Sequence, residues 1–448
     1  MRYNGKLSVE RVREQNLNIV AVLGVLDREQ GGRENLAGAG FELRTYSPAG
    51  NCWKPPGADR MRRVLLFFLL LVGTAHAGDG WKASLTPHFR LPALFLAVDK
   101  ESQRTYFVRP TDEALDREEL VCTTGRRDGD KQKEGDLKTP EGVYFIGDRI
   151  KKKLDYTLYG NTAFALNYPN PMDRLRGKTG YGIWIHGRGT PITPKLTRGC
   201  VALQNPRVDT LHEHITPHLT PVVIAQTLDW DNASSVSILE VARGTWSWIG
   251  ARERRDPAFF EFYNASLYEK SSGAPFADFV REVQEESARH PWVDIRVENL
   301  HVLEGPGYMV SSFIQHDFPH VGKSGHRRLY WTGDGGVWRI AGEERVELGA
   351  EDREGYARLV DKEIRTLLLH GEALWTGGDR AALAEIYAPQ CEVPVSLNAS
   401  NPFSGEPVIT IAEDGVRAVL SRPGGTSHTF LFRPGPFDTW LIVNQSGG

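Results

Sequence analysis

His186-Gly187 and Thr197-Arg198-Gly199-Cys200 are the residues whose types and spacing could do covalent chemistry. A thiol becomes a thiolate near neutral pH only beside a base or a positive charge, and a histidine ending one strand can supply this to a cysteine on the next loop. The two stand fourteen positions apart, enough for a loop that returns the chain to the same sheet edge. Gly187 and Gly199 let the backbone approach a substrate closely. Backbone N–H groups at Gly199 and Cys200 could hold the oxyanion of a tetrahedral intermediate. Cys200 is then a nucleophile and His186 its general base and acid, and an activated Cys200 should react with iodoacetamide at pH 6–7 faster than a free thiol. The competing readings are a buried structural thiol and a satisfied core histidine, and these leave the glycine context unexplained.

Other reactive groups carry less. Cys122 reads as a small packed side chain, and a Cys122–Cys391 disulfide is open but has no support in the spacing. His212-Glu213-His214 with nearby His218 fails the His-Glu-x-x-His pattern because position 216 is threonine, so no metal and no cofactor are expected. Asn232, Asn264 and Asn398 each begin the short Asn-Ala-Ser triplet of glycan acceptors.

The elements that must position the pair read as a compact β-rich domain. Leu94–Val98 and Thr105–Val108 pattern as a hairpin. Gly- and Pro-punctuated β runs continue through Gly135–Phe145, Gly182–Gly187 and Arg198–Leu203 to a closing strand at Pro221–Ala225. After residue 230 the pattern becomes helical: 235–253, 259–268 and 277–289. Strand runs follow at 293–303, 308–318 and 326–332, closed by 337–340, an α+β layout. Trp248, Asp256 and Phe262-Tyr263 have an echo in Trp375, Asp379 and Ile386-Tyr387, again followed by strands at 391–396, 407–411, 415–420, 428–432 and 438–443. Residues 231–345 and 350–448 therefore read as two related modules. Trp246, Trp248, Tyr263, Tyr330 and Trp331 are candidate stacking faces, with core as the commoner fate of a tryptophan. Arg255, Arg327, Arg328 and Arg339 are candidate carboxylate grips.

The chain has 448 residues, 40% hydrophobic and 25% charged, with 54 Lys and Arg against 57 Asp and Glu. This excludes collagen-like, fully disordered and polytopic membrane proteins and gives no electrostatic reason for a nucleic-acid partner. Four cysteines are too few for a disulfide scaffold. Met61-Arg62-Arg63, the apolar run Val64–Val72 and Ala75-His76-Ala77 form the three parts of a secretory signal peptide, too short for a stable membrane span. Residues 61–77 are read as that signal, with Met61 as the start and the periplasm as destination. Residues 1–60 are read as a misassigned or unstructured extension.

The ordered motifs Gly135-Asp-Leu-Lys-Thr-Pro-Glu-Gly142, Ile185-His186-Gly187 and Thr197-Arg-Gly-Cys200-Val-Ala-Leu203 resemble the L,D-transpeptidase (YkuD-type) catalytic domain, over residues 92–226. The resemblance implies a β-sandwich-like catalytic domain, Cys200 as nucleophile and His186 as base. It also implies that the Gly187 carbonyl orients the histidine and that peptidoglycan stem peptides are the substrate. Many members carry Ser-His-Gly-Cys, a hydrophobic residue and Arg. Here Thr197 and Arg198 replace Ser-His as substrate-binding candidates, and Ala202 stands at the Arg position. The module at 231–345 is similar to an NTF2-like cone, and 350–448 to a second one. The implied fold class is thus multi-domain, a β-rich YkuD-like domain plus one or two α+β NTF2-like cones, similar to cell-shape L,D-carboxypeptidases. The implied activity is transpeptidation through a Cys200 thioester, with a second stem peptide or a lipoprotein as acyl acceptor. Trimming of tetrapeptides to tripeptides by an L,D-carboxypeptidase is the alternative, and a catalytically inert peptidoglycan-binding protein is the other.

Overall fold

Strands β1 (Lys82–Ser84), β2 (Phe95–Asp99), β3 (Arg104–Pro110), β4 (Leu115–Thr123), β5 (Gly142–Arg149), β6 (Ala163–Leu166), β7 (Trp184–Arg188), β8 (Val201–Gln204), β9 (Pro221–Ala225) and β10 (Thr227–Asp229) build the first part of the molecule. The computed structural model describes residues 80–447 except 112–113, 232–235, 319–322, 335, 351–352, 392–400, 423–426 and 436–438. The expected signal peptide and the 1–60 extension lie outside the described residues. No helix among the described residues is long and apolar enough to cross a membrane.

The expected hairpin forms, with Phe95 opposite Val108 and Val98 opposite Thr105. The β-sandwich-like arrangement does not form. Eight strands instead close a barrel in the order β2-β3-β4-β8-β7-β6-β5-β9. Closure follows from strands that serve two neighbours. β5 pairs with β9 through Gly142–Phe145 and with β6 through Ile146 and Arg149. β4 pairs with β3 and, through Cys122 and Thr123, with β8. Alternation along the strands sends Ile185, Val201, Leu203, Val222 and Ile224 into the barrel core.

Strand β9 is buried at all five positions because both of its faces are covered. Val222 and Ile224 fill the barrel, whereas Val223 and Ala225 join Phe95, Val143 and Phe145 in a second core with Leu303, Tyr308, Val310, Tyr330 and Ala341. These last residues belong to the first α+β module, which packs directly on the barrel wall. Its sheet is a meander of β11 (Asp294–Gly305), β12 (Tyr308–Phe318), β13 (Lys323–Asp334) and β14 (Val337–Ala350). A polar seam crosses the same boundary. Arg328 is 2% exposed, lies over the Phe145 ring at 4.1 Å, and donates to Glu344 at 3.1 Å and to the His218 carbonyl at 2.7 Å. Asn167 donates to the same Glu344 carboxylate at 2.8 Å.

The helices at Val236–Arg254 and Phe276–Arg289 stand where the sequence places them. The single helix expected over 259–268 is two elements. Asp256 caps a 3-10 turn, Pro257–Phe262, then Tyr263 bridges to Ile340, and Asn264 caps a new helix, Ala265–Ser272. Pairing of Tyr263-Asn264 with the edge of β14 breaks the helix that local pattern alone would continue.

The second module repeats this plan with a helix, Arg353–Gly377, an Asp379 cap, and a sheet of β15 (Glu406–Ala412), β16 (Gly415–Ser421), β17 (Ser427–Pro434) and β18 (Trp440–Gly447). Tyr387 bridges Ile442 as Tyr263 bridges Ile340, so the sequence echo marks the same joint in both modules. The strand expected at 391–396 falls almost wholly outside the described residues. The Cys122–Cys391 disulfide left open by the sequence does not form.

Candidate active site

Strands β7 and β8 run parallel with Ile185 opposite Val201, His186 opposite Ala202 and Gly187 opposite Leu203. Side chains alternate across a strand, so Ile185, Val201 and Leu203 point into the core while His186 and Ala202 share the other face. Extending the register one residue back sets Cys200 opposite Trp184, on the face that carries His186. The two are diagonal neighbours, on the order of 8 Å apart between Cα atoms by strand geometry. The fourteen-residue loop between them lets two parallel strands meet in this way. Ala202, at the position of the usual arginine, is fully buried directly opposite His186.

His186 is 3% exposed, and its Nδ1–H donates to the Gly187 carbonyl at 2.6 Å. That bond fixes the tautomer and leaves the Nε2 lone pair as the basic atom. Tyr159 packs its ring against the imidazole at 5.1 Å and against Trp184 at 5.4 Å. Burial lowers the imidazole pKa to about 4, against a raising effect from the Gly187 bond, and the Arg188 charge lowers it further. The Cys200 thiol donates to the Gly182 carbonyl at 3.6 Å. Burial pushes this thiol up to about 11, partly offset by the Trp184 backbone N–H and by the Lys131 ammonium. Burial thus works against both charged forms, disfavouring a standing thiolate–imidazolium pair in the substrate-free site at neutral pH. The spacing of the two residues points instead to labelling faster than a free thiol at pH 6–7, and timed alkylation decides between the two.

The loop before Cys200 is braced from within. Thr197 is buried, its hydroxyl donates to the Cys200 carbonyl at 2.7 Å, and the same oxygen accepts the Gly199 N–H at 3.1 Å. Its backbone ties to Thr124 and Arg126 at 3.0 Å each. The geometry thus makes Thr197 a brace of the turn and engages the Gly199 N–H internally, while Arg198 is exposed. Gly199 has φ +136, and a Cβ there would lie 2.8 Å from the Lys138 carbonyl, so only glycine fits.

The Gly135–Gly142 motif is the scaffold behind this loop. Asp136 accepts from Lys131 at 2.8 Å and from the Gln132 and Lys138 backbone. Glu141 pairs with Lys100 at 2.7 Å, both nearly inaccessible.

Lys131, Tyr159, Trp184 and Asn205 are site residues that sequence reasoning missed. Asn205 is the least expected. Its side chain is buried, both of its polar atoms lack a hydrogen-bond partner, and a Cβ on Gly187 would lie 2.2 Å from its Oδ1. The Pro206 that follows it was the available signal of a helix start. Cys122 is 1% exposed, with burial raising its thiol to about 12, which makes it a packed side chain. His218 faces Asp148 at 3.3 Å, and no cluster of three or more metal-ligating side chains gathers among the described residues. Asn264 is a helix cap, and Asn232 and Asn398 lie outside the described residues.

The profile of the L,D-transpeptidase catalytic domain family, YkuD, matches residues 94–224. This part of the chain is a YkuD-type domain of the L,D-transpeptidase catalytic-domain family. Within the chain, 96 residues are 33% identical to YafK of Escherichia coli K12, an L,D-transpeptidase by name, and cover 21% of this chain and 35% of that protein. The chain thus spans about a third of the length of the curated relative it matches. Among solved structures, Bd1075 of Bdellovibrio bacteriovorus is 24% identical with a TM-score of 0.47, covering 61% of this chain and all of that one. The helical cell shape determining protein Pgp2 of Campylobacter jejuni is 24% identical with a TM-score of 0.47, covering 59% of this chain and 94% of that one.

In the first module, Trp248, Tyr263, Arg255 and Arg327 line a cavity of about 450 Å³. Tyr330 and Trp331 are core, Arg328 is the seam residue and Arg339 is exposed.

Proposed function

We propose that the protein is a peptidoglycan L,D-transpeptidase that works through a thioester on Cys200. The observation that carries the reading is the β7–β8 register, which sets His186 and Cys200 on one face with Nε2 as the only basic ring atom. The Cys200 sulfur attacks the carbonyl on the L-centre side of an L,D-peptide bond as its proton passes to His186 Nε2. The tetrahedral oxyanion takes backbone N–H donors of the Cys200 turn, with the Cys200 N–H nearest once Thr197 holds that of Gly199. Collapse breaks the C–N bond, and His186 gives its proton to the departing amine. The acceptor amine then attacks the thioester, His186 takes its proton, and the thiol is restored. No metal or cofactor enters these steps.

A second reading is supported by Ala202. The side chain opposite His186 is a methyl group where a guanidinium would grip substrate, and water competes wherever no amine is held in line. Resolution by water makes the protein an L,D-carboxypeptidase that trims tetrapeptides to tripeptides. Incubation of the full chain with disaccharide tetrapeptide, read by mass, decides between them: cross-linked dimers support transfer, and tripeptide alone refutes it. The retained base and nucleophile speak against the inert binding reading, since neither is needed for packing.

We read the two α+β modules as NTF2-like cones that position the catalytic domain on peptidoglycan, and the signal-like segment starting at Met61 as export to the periplasm. A second stem peptide or a lipoprotein is the acyl acceptor in this scheme.

A further inference from the structure

A groove of about 880 Å³ opens between the barrel and the first α+β module, within the size range of ligand sites. Its floor follows one row of the barrel. Cys200, just before β8, comes opposite Trp184 when the β7–β8 register is extended by one residue; Ala165 stands opposite Trp184 on β6, and Gly147 beside Ala165 on β5. Trp184 is the barrel end of the groove and the neighbour of the nucleophile. Beyond it Gly147 and Ala165 offer almost no side chain, so an extended chain can lie close to the sheet. The far wall is the module, through Glu344 and Arg345.

The charge of this groove is one-sided. Five cationic side chains line it against two acidic ones. Both acids are engaged: Glu344 accepts from Arg328, Tyr330 and Asn167, and Asp148 faces His218. Lys151 and Lys152 have no acidic partner among the described residues, and the Lys152 ammonium sits 5.2 Å from the Trp184 ring centroid. Among the described residues Arg149 is held by neutral partners, Thr162 Oγ1 at 3.0 Å and the Asn161 carbonyl.

We infer that this groove binds the acyl donor, a peptide carrying free carboxylates, and that Lys151 and Lys152 recognise those carboxylates. The inference rests on the proposed acyl transfer and names its donor subsite. The acyl part must remain in the Cys200 row because it becomes bonded to sulfur. Amines that leave or enter must meet His186, one register pair further along β7. The groove continues the Cys200 row and so takes the acyl part.

The test titrates the full chain carrying Cys200→Ala with disaccharide tetrapeptide and with the same compound after conversion of its carboxylates to carboxamides, by calorimetry at low salt. The acid form should bind at least tenfold tighter, and Lys151→Glu with Lys152→Glu should remove that preference. Both lysines are exposed, and Lys151→Gln with Lys152→Gln removes the charge at nearly constant size should the reversal disturb folding. Equal binding of the two forms by the parent, or a preference that survives both double variants, overturns the inference. If the wild-type chain binds tetrapeptide with this preference yet forms no thioester, the acyl-transfer reading fails and the groove stands.

Discussion

A neutral thiol beside a neutral imidazole predicts an alkylation profile unlike that of a cysteine enzyme with a standing thiolate. Burial raises Cys200 from an ordinary 9.0 to about 11, so at pH 7 its thiolate fraction is ~10⁻⁴, against ~10⁻² for the ordinary thiol. A more basic thiolate is the better nucleophile, with a Brønsted slope of roughly 0.4–0.5, which recovers about six- to tenfold over two units. The net expectation is reaction with iodoacetamide about tenfold slower than a free thiol at pH 7. The rate should rise about tenfold per pH unit to about pH 10, because the thiolate fraction does. His186, near 4, is uncharged over this range and adds no inflection. The assay is timed alkylation between pH 6 and 10, read as modification of the Cys200 peptide by mass spectrometry. Cys122, buried and higher still, serves as the unreactive internal standard. A rate that is flat between pH 6 and 8, or faster than a free thiol at pH 7, would refute the neutral pair and restore a thiolate–imidazolium site.

Gly199→Ala should abolish turnover and cost about 1–3 kcal/mol, because the new Cβ meets the Lys138 carbonyl at a strained φ; unchanged turnover and an unchanged melting temperature would contradict this. Arg328→Ala should destabilise the chain by about 1–3 kcal/mol in urea unfolding, because Glu344 loses its charged partner at the seam but keeps Tyr330 and Asn167 as donors, and no measurable loss would show that the seam matters little. Burial holds His88, His186 and His301 near 4 when folded, so between pH 6.5 and 4 only the unfolded chain binds these protons and stability falls with pH. Moving from pH 7 to 5 should remove about 2 kcal/mol for each of the three, read as a lower urea midpoint, and equal midpoints would contradict it.

Local signals carried the parts of the fold that depend on neighbours in sequence. The hairpin at 95–108, the four-stranded meander after residue 293 and the repeated Trp–Asp–Tyr joint all rest on short-range pattern, and each forms. Barrel closure was not legible, because it depends on β4 and β5 each serving two partners, a fact of three-dimensional register. The helix over 259–268 failed for the same reason, since Tyr263 and Asn264 are claimed by the edge of β14. In the site, residue types and spacing pointed to His186 and Cys200, but the protonation state of the pair follows from burial that no spacing reveals. The shared core of Val143 and Phe145 with Tyr308 and Val310 was equally invisible. It bears on any truncation near residue 228, which would bare an apolar barrel face and confound a loss of binding with a loss of fold.

The central claim is that Cys200 carries the acyl group. Acid quenching of the full chain during turnover of disaccharide tetrapeptide, followed by intact-protein and peptide mass spectrometry, tests it most directly. The account predicts a mass increase equal to the tetrapeptide substrate less its terminal D-amino acid, located on Cys200, accumulating with wild type and absent with Cys200→Ala. An adduct on another residue, or turnover by Cys200→Ala at the wild-type rate, would contradict it.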